Sequence, residues 1–129
     1  MMITSERASP MKIKWLDKPQ QHDYAAAASY LSLTMDHSAV STAIEKMKKA
    51  EMTVFAAKDI FRASGLSLLG VSNSHVEKDR VRIVRDEKLS PLLLYRGPNE
   101  RRLIIADCYH RLCAVYKFDE DAMIPCKIV

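Results

Sequence analysis

The sequence predicts an α+β domain. Apolar residues recur at helical spacing through its first half, and short β-branched or apolar runs bounded by turn residues follow from Met52. The two patterns meet at one strand-to-helix turn near Asp107. Met1 to Pro10 lacks the apolar centre of a secretion signal and reads as a polar, disordered tail; residues 11–129 then form one domain. Trp15 to Gln21 is an extended lead-in, in which Pro19 stops a helix from passing through. Tyr24, Ala27, Ala28 and Leu31 mark a first helix. Val40, Ala43, Ile44 and Met47 mark a second, capped by Asp36 or Ser38, and the two form a helical hairpin packed over one face of a sheet. Met52 to Ala56 is a short strand. A helix at Ala57 to Ser64 follows, closed by Gly65 in the left-handed conformation. Ser74 and Glu77 have capping-box spacing at the start of a helix running to Arg85. Leu89 to Tyr95, Leu103 to Ala106 and Ile124 to Val129 supply the remaining strands of a small mixed sheet, with a turn at Gly97 to Asn99.

Composition narrows the function classes. A chain of 129 residues with 48% hydrophobic content suffices for one core, and no internal repeat or low-complexity linker divides it. The longest apolar stretches, Leu92 to Tyr95 and Leu103 to Ala106, are far below the roughly 18 residues of a membrane span. Cys108, Cys113 and Cys126 form an odd set without metal-ligand spacing, which argues against a disulfide framework and a structural metal and points to the cytoplasm. His22 and His37 likewise have no partner at ligand spacing. The net charge of +4 and pI near 9.0 raise the possibility of nucleic acid. However, Lys78, Arg80, Arg82, Arg85 and Lys88 alternate with Glu77, Asp79, Asp86 and Glu87, the pattern of a mixed, solvated face. Arg96, Arg101 and Arg102 make a denser basic spot without interleaved aromatics, so DNA binding is expected to be weak and non-specific.

Leu103 to Phe118, LIIADCYHRLCAVYKF, carries the chemistry. An apolar strand breaks at Asp107, Cys108, Tyr109 and His110, and Leu112, Val115 and Tyr116 then repeat at helical spacing. Unpaired N–H groups at a helix start lie at the positive end of its dipole and favour phosphate or another oxyanion. Arg111, and His110 when protonated, add donors there. Asn73, Ser74 and His75 open another helix after Gly70; if both starts face one cleft, two dipoles and His75 converge on one ligand. Asp107 reads either as an N-cap or, pointing outward, as a general base or Mg²⁺ ligand. Cys108, in the first turn beside His110 and Arg111, has the setting that lowers a thiol pKa.

The order of elements over 72–129, with Asp107-Cys108-Tyr109-His110-Arg111 between strand and helix, resembles the ParB/sulfiredoxin superfamily. The likeness points to an unassigned bacterial ParB-like family with an Asp-Gly-Tyr-His-Arg type motif. It implies a ParB/sulfiredoxin-like fold with an N-terminal helical elaboration. It also implies contact between His110, Arg111 and Tyr109 and the phosphates of a nucleotide, ATP or CTP, with phosphoryl transfer or hydrolysis as an accompanying activity. Asn73, Ser74 and His75 stand where the resemblance implies a region facing the motif. Two departures matter. Cys108 replaces the expected Gly, and sulfiredoxins keep their catalytic Cys directly before His-Arg, where this chain has Tyr109. The alternatives are a non-catalytic regulatory or DNA-associated module and thiol chemistry at Cys108.

Overall fold

The fold is built around a four-stranded mixed sheet in which one central strand, Leu92–Tyr95, is apolar on both faces. The structure is a computed structural model and describes residues 12–70, 73–97 and 102–129. In chain order its elements are β1 (Lys14–Trp15), α1 (Gln21–Leu31), α2 (His37–Lys49), β2 (Thr53–Ala56), α3 (Ala57–Ser64), α4 (Ser74–Val84), β3 (Lys88–Leu89), β4 (Leu92–Tyr95), β5 (Ile104–Asp107), α5 (Tyr109–Phe118) and β6 (Met123–Ile128). The class is therefore α+β. The main sheet has the order β2-β6-β4-β5, antiparallel except for the parallel β4 and β6 pair. β1 and β3 form a separate parallel pair.

Leu92 and Leu94 point into a core with Ile60, Val76, Ile83, Leu112, Val115 and Ile124, so α3, α4 and α5 cover that face. Leu93 points the other way, into a core with Tyr24, Ala27, Leu31, Val40, Ala43 and Met47, so the α1 and α2 hairpin covers the opposite face. Both cores are filled by the apolar stripes expected of amphipathic helices.

The ends of the elements follow local chemistry. Asp36 caps α2 by accepting the Ala39 N–H at 2.8 Å, and Gly65 closes α3 at φ 69°, as expected. At α4 the cap is Asn73 rather than Ser74: its side chain accepts the His75 and Val76 N–H groups. Glu77 instead pairs with Arg80, so no capping box forms. The single strand expected over Leu89 to Tyr95 is interrupted at Ser90 and Pro91, and its first part joins β1. The solvated face expected across Glu77 to Lys88 is broken by Asp79, which lies on the buried stripe between Val76 and Ile83 and is 4% exposed. The tail 1–10 and most of the turn after Gly97, with Arg101, lie outside the described residues.

Candidate functional site

A slip in strand register decides where Asp107 points. Tyr95 pairs with Ile104 and Leu94 with Ile105, but Leu93 pairs with Asp107, leaving Ala106 without an opposite residue. Such an extra residue reverses the side-chain alternation beyond it. Asp107 therefore shares the face of Leu93, toward α1. On that side Asp23 is only 2% exposed and is the neighbouring acid whose charge bears on Asp107. Burial first, then the adjacent Asp23 charge, pushes Asp107 up to about 7; Arg111 pulls the other way and Asp79 adds to the rise. Asp107 Oδ2 is buried with no hydrogen-bond partner among the described residues.

Asp107 is not the N-cap of α5. That position is Cys108, at φ −133° and ψ 116°, and it makes no side-chain capping bond. The extended backbone explains why cysteine is accepted where glycine was expected, because nothing there requires a positive φ. The peptide bond between Asp107 and Cys108 is cis. Burial raises the Cys108 thiol above its ordinary value, against the pull of the Arg111 guanidinium and backbone. The expected low-pKa setting is thus reversed by desolvation.

Arg111 turns inward. It is 8% exposed, its NH1 donates to the Ser90 carbonyl at 3.0 Å, and its Nε has no described partner. Ser90 Oγ donates to Gln20 Oε1 at 2.8 Å, and the Gln20 N–H donates to Asp23 Oδ2 at 2.7 Å. A polar chain therefore ties the start of α5 to the start of α1. Tyr109 also turns away from the helix start, its hydroxyl donating to the Ser67 carbonyl.

His75 and His110 come together. Their rings, one from the first turn of α4 and one from the first turn of α5, lie 4.8 Å apart at an interplanar angle of 36°. Burial and the neighbouring His75 lower the His110 pKa, with Asp79 opposing. Asn73 spends its side chain on capping α4, and Ser74 begins that helix beside it. Asp23, Asp79, Gln20 and Ser90 were not anticipated as part of this region. The legible signal for the two acids was position: Asp23 lies four and eight residues before Ala27 and Leu31, and Asp79 three after Val76 and four before Ile83, on apolar stripes.

Among the described residues no three His, Cys, Asp or Glu side chains converge to hold a metal ion. No helix is long and apolar enough to cross a membrane among the described residues. No family model, curated protein or solved structure matches the chain.

Proposed function

We propose that the protein is a cytoplasmic, ParB/sulfiredoxin-like domain that binds a phosphorylated small molecule, a nucleotide such as ATP or CTP, at the joint start of α4 and α5. The observation that carries this reading is the 4.8 Å approach of His75 and His110 across two adjoining helix N-termini. Cys108 leaves the first N–H groups of α5 without a side-chain acceptor, so they are free to meet an oxyanion. The His110 imidazole becomes a charge-assisted donor when a phosphate supplies the compensating charge, and His75 stands beside it. Arg111 contributes positive charge from beneath, its guanidinium being held by Ser90. A protonated Asp107 keeps the nearby field from becoming too negative for an anion, although its carboxyl faces α1 and not the paired imidazoles.

Because the His110 pKa is lowered, the free protein carries that ring neutral near pH 7, and binding an anion draws a proton onto it. Affinity should therefore rise as pH falls from 8 to 6. Calorimetry with a nucleoside triphosphate panel and inorganic phosphate tests this. The expected result is saturable binding that His110→Ala and His75→Ala each weaken about tenfold or more, the scale of one lost charge-assisted bond. No binding at millimolar ligand, or an affinity indifferent to both variants, would remove the basis for the reading.

A further inference from the structure

We propose that Asp23 and Asp107 share a single proton across the interface between α1 and β5, and that this proton clamps α1 onto the sheet. The inference does not depend on nucleotide binding. It begins from geometry: the register slip aims Asp107, with its buried unpartnered Oδ2, at α1, where Asp23 is enclosed, and the hydrogen-bond chain from Arg111 through Ser90 and Gln20 to Asp23 draws the two acids into one cluster. Two ionised carboxylates in contact repel, whereas a carboxyl and a carboxylate make a strong charge-assisted hydrogen bond.

The surroundings do not neutralise both charges. Arg111 spends NH1 on a carbonyl, and no described cation forms an ion pair with Asp107. Asp79, on α4, adds a third carboxylate but is paired with Arg82 at 3.1 Å. His22 lies 3.5 Å from Asp23 on the exposed side of α1 and can offset only Asp23. Lys127 of β6 shares the face of Leu93, yet its Nζ donates to the Lys48 carbonyl at 3.0 Å. Cys108 is the remaining titratable neighbour, and burial holds it protonated. One bound proton settles the surplus charge.

The sign of the pH dependence follows from a carboxyl raised in the closed state. The clamp is complete below the ordinary carboxylate range, weakens as pH rises, and is lost once the pH passes the closed-state value near 7. Opening of α1 should therefore become up to about tenfold easier per pH unit between pH 5 and 7 and level off above, one proton being released per opening. Hydrogen exchange of α1 amides, referred to α5 amides at each pH, reads this in the full chain. Asp107→Asn, neutral at every pH, should abolish the slope. Carbon-13 NMR of the aspartate carboxyls in the unaltered protein should find one of the pair titrating near neutrality, and Asp23→Asn should lower that midpoint. If both carboxyls finish titrating below pH 5, the proposal fails even where the variants do not fold. It also fails if Asp23→Asn leaves the midpoint in place, or if Asp107→Asn retains the slope.

Discussion

At the scale of single residues, what a side chain can do here depends on which way the backbone aims it. Arg111 lies next to His110 in sequence, yet one turns into the interior and the other meets His75 at the helix start. Cys108 shows the same dependence. Its neighbours suggest an activated thiolate, but enclosure raises its pKa instead. At pH 7 it should alkylate more slowly than an unperturbed cysteine, whose thiolate fraction is already only a few per cent. Iodoacetamide kinetics followed by mass spectrometry would measure this, and fast modification at Cys108 would restore the thiol reading. Cys108→Ser should leave anion affinity within about twofold, since Cys108 makes no side-chain capping bond to α5.

Elements begin and end where local chemistry is strong. Gly65 adopts φ 69°, and an added Cβ would stand 3.2 Å from the Arg102 side chain. Gly65→Ala should therefore cost about 1–2 kcal/mol, the penalty of placing an L residue in the left-handed region. Asn73→Ala should cost about 1 kcal/mol by removing the α4 cap, and should loosen His75 along with the first turn. Urea denaturation would compare the two. These termini illustrate how far the sequence could be read. Asp36, Gly65 and the helical stripes announce themselves through short-range patterns that one helix turn is enough to express. The β1 and β3 pair could not be read that way, because two-residue strands carry no periodicity. The aim of Asp107 was hidden for a related reason: a one-residue slip against β4 depends on a partner strand, not on its own neighbours. His75 and His110 were legible as two helix starts, while Asp23 reached the site only through packing across the sheet.

For the whole molecule, β4 is the wall between two cores. Leu93 faces the α1 and α2 side while Leu92 and Leu94 face α3, α4 and α5, all three fully buried. Leu93→Ala should cost about 2–5 kcal/mol and weaken the α1 side first, visible as earlier hydrogen exchange in α1 than in α5. The sheet order has a further consequence for how the chain is made. Among the described residues β2 has no neighbour but β6, and β6 also pairs with β4. As the polypeptide leaves the ribosome, β2 emerges long before the strand that receives it, with Val54 and Phe55 half exposed even in the finished fold. The nascent chain therefore carries an unpaired edge through most of its synthesis, until β6 takes its place between β2 and β4.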